Sequence, residues 1–183
     1  DLRVLRQTVT VKLNLEMAAS EEMKKIALKI KPDVVSLVPE RPEELTTEGG
    51  LNVIAHSKVL GPFIEHIKKA GIKVSIFIDP DLEQIKVCGE LGVHLIEINT
   101  GKYADERPGK SRDNALEMIQ KAAEHGYSLG LEIHAGHGLD YHNVVPVARI
   151  DGMECLNIGY SVICRALFVG LKNAVSEMKK LVQ

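Results

Sequence analysis

Six short β-rich runs alternate with amphipathic helical stretches, and polar side chains recur on one face of those runs near their C-terminal ends. Together these two observations predict an α/β chain of the (β/α)8 TIM-barrel class. Strands alternating with helices imply βαβ units and a parallel sheet. An open doubly wound sheet is covered on both faces, so its strands read as unbroken apolar runs. A repeatedly polar face suits instead the interior of a barrel, whose active site lies at the strands' C-terminal ends.

The elements follow in order. The opening DLRVLRQTV reads as helix. Residues 12–17 (KLNLEM) form the first strand, with Leu13, Leu15 and Met17 on one face and Lys12, Asn14 and Glu16 on the other. SEEM at 20–23 begins a helix over 20–31 with a serine cap and early acids. Strand 34–38 (VVSLV) comes next, and then helix 56–70. Strand 73–79 (KVSIFID) places Ser75 and Asp79 on one face. DPDLEQ opens helix 81–91, and strand 94–99 (HLIEIN) aligns Leu95, Glu97 and Asn99. Helix 112–125 leads to strand 128–134 (SLGLEIH), where Glu132 and His134 share a face. The last strand is 154–159 (ECLNIG), followed by one long helix at 162–182. KAG, ELG and EHG, at 69–71, 90–92 and 124–126, each read as a helix stop with glycine before a strand.

A full barrel takes about 250 residues. This chain has 183, starts on a helix without an initiator methionine and offers six strands. The expectation is one barrel domain over 1–183, N-terminally incomplete, lacking the first two strands and the helix between them. No internal repeat, linker or low-complexity segment divides it.

Composition narrows the function classes. With 45% hydrophobic residues and a net charge of −2, the chain can bury one core. Charges are interspersed and only 4% of residues are aromatic, which argues against nucleic acid as a partner. No apolar run approaches the ~20 residues of a membrane span, and no signal-peptide pattern opens the chain. Cys88, Cys155 and Cys164 are odd in number and widely spaced, so they read as reduced thiols of a cytoplasmic protein.

Several residues carry chemistry. Glu16 ends a strand on the polar face, where a carboxylate is costly unless paired or used; Lys12 is the alternative partner. Glu97 lies mid-strand between Ile96 and Ile98, where burial raises a carboxyl pKa toward neutrality. A salt-bridged interior carboxylate is an equally open reading. The polar connection LVPERPEELTTEGGLNV at 37–53 has the length of an active-site lid. In HAGHG, Gly136 and Gly138 flank His137 and let the backbone approach a ligand. NIGYS at 157–161 precedes a helix. In barrels, the loops after the last two strands often bind phosphate with a helix N-terminus. His134, His137 and His142 lack the spacing of a helical metal pair, and no Cys or Asp cluster accompanies them. A merely structural His137 remains open.

LNLEMA, LVPERPEELTTEGGL, VSIFID, IEINTGKYAD, AGHGLDYHNV and LNIGYSVICRALFVGLKNAVSEM together resemble the pyridoxine 5′-phosphate synthase family, along the whole chain. The resemblance implies condensation of 3-amino-2-oxopropyl phosphate with 1-deoxy-D-xylulose 5-phosphate to pyridoxine 5′-phosphate, phosphate and water. It implies a (β/α)8 barrel with extra helices, a homo-octamer, and no metal or redox cofactor. Glu16 would then be a general base or acid, His137 a proton donor and Glu97 an assistant. Thr46 would contact substrate, and Gly138, Gly159 and Tyr160 would hold a phosphate through backbone groups. Two departures stand out. The family's early Asn-x-Asp-His motif, a catalytic histidine and phosphate-binding arginines are absent here, and position 160 is Tyr where the family usually has His.

Two readings of other classes compete. One is a metal-dependent phosphosugar aldolase or epimerase. A Schiff-base aldolase needs a lysine at a strand's C-terminal end, whereas Lys12 and Lys73 stand at strand beginnings. The other is a non-catalytic truncated scaffold, because a six-stranded remnant leaves two sheet edges open.

Overall fold

The computed structural model describes residues 1–40 and 49–183. Their elements alternate except where α5 precedes α6 and α8 precedes α9: α1 (Leu2–Thr8), β1 (Asn14–Met17), α2 (Glu21–Ile30), β2 (Val34–Leu37), α3 (Val53–Lys69), β3 (Lys73–Ile78), α4 (Leu82–Glu90), β4 (Leu95–Asn99), α5 (Gly101–Asp105), α6 (Lys110–Ser128), β5 (Glu132–Gly136), α7 (Val144–Ala148), β6 (Met153–Asn157), α8 (Tyr160–Val169) and α9 (Leu171–Val182). The six strands form one sheet in the order β1-β2-β3-β4-β5-β6, each parallel to its neighbour. The architecture is the expected barrel type, present as six consecutive strands, with β1 and β6 as edges among the described residues.

Alternation along each strand divides the sheet into two unlike faces. Val35, Leu37, Val74, Ile76, Ile78, Ile96, Ile98, Ile133 and Ala135 are all fully buried under the helices. This outer face meets α3, α4 and α6 through Phe63, Ile64, Ile67, Ile85, Ile119 and Ala122 in one continuous core. Each such isoleucine contributes on the order of 1.5–3 kcal/mol by leaving water. The inner face is read across the register: Glu16 beside Ser36, Ser36 beside Ser75, Phe77 beside Glu97, Glu97 beside His134, and Gly136 beside Asn157.

Local chemistry sets the helix ends. Ser20 caps α2 by accepting from the Met23 amide, and Asp81 caps α4 by accepting from Glu83 and Gln84. Gly71 and Gly92 follow α3 and α4 in the left-handed region (φ 78° and 66°), as KAG and ELG predict.

The structure corrects two boundaries. EHG does not stop its helix: α6 runs through Gly126 to Ser128, and the left-handed residue is Gly130 (φ 78°). Gly126 serves packing instead. A Cβ there would stand 2.7 Å from Ile133 Cδ1 and 3.0 Å from Ile96 Cδ1, so its absence lets α6 lie close on the sheet. The fifth strand accordingly starts at Glu132 rather than at 128. The closing helix is also two helices, broken at Gly170 (φ 80°, ψ 150°), with Arg165 of α8 paired to Glu177 of α9 at 2.8 Å.

Candidate active site

The inner face is not uniformly polar from top to bottom. At the strands' beginnings, Lys73 Nζ lies 3.3 Å from Glu132 Oε2, and His134 Nε2 lies 3.1 Å from Glu132 Oε1. Lys73 is thus engaged in the floor, far from the position a Schiff-base lysine requires. His134, the first histidine of the 131–145 segment, belongs to this floor, and His142 is exposed beyond the strand, its amide donating to Asp140 Oδ1.

At the opposite, C-terminal end lies a cleft of about 740 Å³. Glu16, Glu97 and His137 line it together with Phe77, Asn157 and Gly159. These three titratable residues, separated by as many as 121 positions in sequence (137 − 16), therefore meet in one space, as the parity of the strands predicts.

Each arrives by a different route. Glu16 projects inward from β1 and is exposed to the cleft. Glu97 projects from the centre of the sheet and is only 6% exposed. Its carboxyl is pushed up to about 7, chiefly by burial, with repulsion from Glu16 adding to the rise and the Asn157 hydrogen bond opposing it. That bond runs from Asn157 Nδ2 to Glu97 Oε2 at 2.6 Å. The room for the Glu97 carboxylate comes from Gly136: a Cβ at 136 would stand 2.3 Å from Glu97 Oε1.

His137 follows β5 in a left-handed conformation (φ 83°) that side chains other than glycine rarely adopt. The single Thr100 hydroxyl proton holds it there, shared between the Gly136 carbonyl at 2.8 Å and the His137 carbonyl at 2.6 Å. Its exposed ring stands 6.2 Å from that of Phe77, centroid to centroid. The loop beyond is internally tied: Asn143 Nδ2 donates to the Gly138 carbonyl at 3.0 Å, and Asp140 Oδ1 accepts from the amides of His142 and Asn143.

The other expected residues fall in different places. Gly159 lines the cleft just before α8, and a Cβ there would meet open space. Gly138 packs on α5, where a Cβ would stand 2.6 Å from Ala104 Cβ; it is not among the cleft's lining residues. Tyr160 is 87% exposed, and its side chain also lies outside the lining. Thr46 and the middle of the lid-like stretch 37–53, residues 41–48, lie outside the described residues. Asn157 and Gly136 are absent from the expected residue set, although their inward parity at strand ends was a usable signal. A separate groove of about 270 Å³ between β6 and α9 is lined mainly by Met153, Leu156, Val162, Val175 and Met178, and so offers packing rather than proton transfer.

Comparison with known proteins bears on the fold and on the family. The tryptophan synthase A-subunit from the hyperthermophile Pyrococcus furiosus superposes with a TM-score of 0.64 at 14% identity, over 98% of this chain and 69% of that one. At that identity the likeness speaks for the fold alone. The pyridoxine 5′-phosphate synthase of Syntrophotalea carbinolica is 52% identical over 182 residues, covering 100% of this chain and 76% of that protein. The synthase of Geobacter sulfurreducens is 52% identical over 183 residues, covering 100% and 77%. This chain thus spans about three quarters of those relatives' length. The family model for pyridoxal phosphate biosynthesis protein PdxJ matches residues 1–183. A match along the entire chain, with relatives at half identity, leaves one assignment: the chain belongs to the PdxJ family.

Proposed function

We propose that this protein is a pyridoxine 5′-phosphate synthase: it condenses 3-amino-2-oxopropyl phosphate with 1-deoxy-D-xylulose 5-phosphate, forming pyridoxine 5′-phosphate, phosphate and water. The observation that carries the reading is the meeting of Glu16, Glu97 and His137 in one cleft of a PdxJ-family chain. The reaction joins an amine to a carbonyl, forms an enol, closes a ring and expels water and phosphate. Each step moves a proton on or off nitrogen, carbon or oxygen, which suits carboxyl and imidazole groups poised near neutral pH.

Glu97, with its carboxyl near 7, can hold a proton in one step and release it in the next. Glu16, open to the cleft, acts as the base or acid facing the substrates. His137 supplies a proton from above the strand ends. Thr46 contacts substrate from the connection after β2. Gly159 gives a phosphate close access to the first amides of α8, whose leading N–H groups have no partner within the helix. Gly138 and the Tyr160 backbone assist in the same task. Binding the phosphates away from the reacting atoms lets their binding energy position the two substrates. No metal or redox cofactor takes part.

We read residues 1–183 as one domain, acting in the cytoplasm on small phosphorylated substrates as part of a homo-octamer, with neither nucleic acid nor membrane as partner. No helix among the described residues is long and apolar enough to cross a membrane.

The test incubates the purified protein, pretreated with chelator, with both substrates and follows product by mass spectrometry alongside inorganic phosphate. Equimolar pyridoxine 5′-phosphate and phosphate are expected. Cleavage or epimerisation of the deoxyxylulose phosphate alone, restored by metal, would overturn the reading in favour of a metal-dependent aldolase or epimerase.

A further inference from the structure

The groups at the C-terminal ends of β3 and β4 include a buried polar pair without an assigned task. Asp79 and Asn99 are 5% and 7% exposed. Asn99 Nδ2 donates to Asp79 Oδ1 at 2.9 Å, and Asn99 Oδ1 accepts from the Gly101 amide at 2.9 Å. Asp79 also accepts from the Gly50 amide at 3.1 and 3.2 Å. An ionised carboxylate only accepts, so Asp79 dictates which end of the Asn99 amide faces it. The carbonyl end must then face Gly101.

Gly101 is where this pair reaches the cleft. A Cβ on Gly101 would stand 3.0 Å from His137 Cδ2, 3.1 Å from Asn99 Oδ1 and 3.6 Å from His137 Nε2, so the imidazole and the Asn99 amide both rest against this backbone. Thr100, the neighbouring residue, holds the His137 and Gly136 carbonyls. The β4–α5 junction therefore supports His137 twice, at its main chain and at its ring.

We propose that Asn99, oriented by Asp79, is a positioning residue for His137: it fixes the Gly101 backbone on which the imidazole rests. The same bridge fastens the main chain at Gly50 to the end of β3. Neither Asp79 nor Asn99 is among the residues that line the cleft. The inference rests on His137 being a proton donor of the proposed reaction, but its geometric part has a readout independent of turnover.

Asn99→Asp sets two carboxylates against each other. It is expected to lower kcat about tenfold or more while KM for each substrate changes less than about threefold, the pattern of a misplaced group rather than lost binding. The exchange D79N/N99D restores the bond between the two side chains with donor and acceptor reversed, leaves the Gly50 and Gly101 amides as donors, and should recover kcat. Gly101→Ala pushes on the ring and should lower kcat without lowering the melting temperature. In parallel, the ¹H–¹⁵N signals of the His137 imidazole should shift in N99D and G101A and return in the double exchange. That measurement holds even if the protein proves to catalyse another reaction. Wild-type kcat and an unshifted His137 spectrum in N99D would overturn the proposal. So would a double exchange that regains thermal stability but not the spectrum. If N99D does not fold, an unshifted His137 signal in G101A overturns it alone.

Discussion

Asn157 donates its 2.6 Å hydrogen bond to Glu97 from the strand beside the one that carries His134, and yet the Glu97 carboxyl still rises to about 7. Burial outweighs the stabilisation of the charge by the Asn157 donor. Removing that donor should therefore raise the carboxyl further. Asn157→Leu is expected to move the acid limb of the kcat–pH profile to higher pH, and a profile unmoved by the substitution would separate Glu97 from the rate-limiting proton transfer.

The same carboxyl leaves a mark on stability. Its folded value lies above its ordinary 4.5, so between these pH values the folded chain holds the proton more tightly than the unfolded chain. Stability from this group is intact below about 4.5 and is lost as pH rises through about 7. The full loss is on the order of 3 kcal/mol. Glu97→Gln carries no such charge. It should melt higher than wild type at pH 8 and about equally at pH 5, as calorimetry at the two pH values would register.

Glu16→Gln keeps shape and removes the carboxylate of the proposed base. Its expected cost is about 10²–10⁴-fold in kcat with little change in KM. Because Glu16 repels the Glu97 carboxylate, the same change should lower the Glu97 pKa. Steady-state kinetics across pH reads both effects. Wild-type kcat in this variant would remove Glu16 from the mechanism.

Gly136, packed behind the Glu97 carboxylate, and Gly159, in the cleft wall, should respond oppositely to alanine. At Gly136 the new methyl has nowhere to go between Glu97 and Asn157, and overpacking of this kind costs about 1–3 kcal/mol. At Gly159 it meets open space, so the fold should be unaffected while KM for a phosphorylated substrate rises. Thermal melts and kinetics of the two variants side by side check the pair of outcomes; an unchanged KM in Gly159→Ala would place the phosphate elsewhere.

Much of this arrangement is legible in the sequence because parity survives without coordinates. Alternation alone assigns Glu16, Glu97, Asn99 and Asn157 to the inner face, and strand ends alone bring Glu16 and His137 to one rim. Register is not legible in that way. That Gly136 stands beside Asn157 and faces the Glu97 carboxylate depends on how neighbouring strands are staggered, which pairing across the sheet determines. Gly126 shows a second limit. Glycine before a strand signals a helix stop by its conformational freedom, but here it is used for its size, and only the contact with Ile96 and Ile133 distinguishes the two uses. The LeuGly at 129–130, three residues on, is the stop that the chain employs.

The left-handed backbone at His137 has a consequence for how this position can change. A conformation natural to glycine or asparagine is occupied by a histidine, at a cost on the order of 1–3 kcal/mol for such strained residues. Its ring is exposed and contributes little burial in return. Drift under selection for folding alone would therefore run away from histidine at 137, and His137→Asn should keep or raise the melting temperature while turnover collapses. Histidine stands here against the preference of its own backbone, so in any lineage where the reaction ceased to matter, position 137 should be among the first to change.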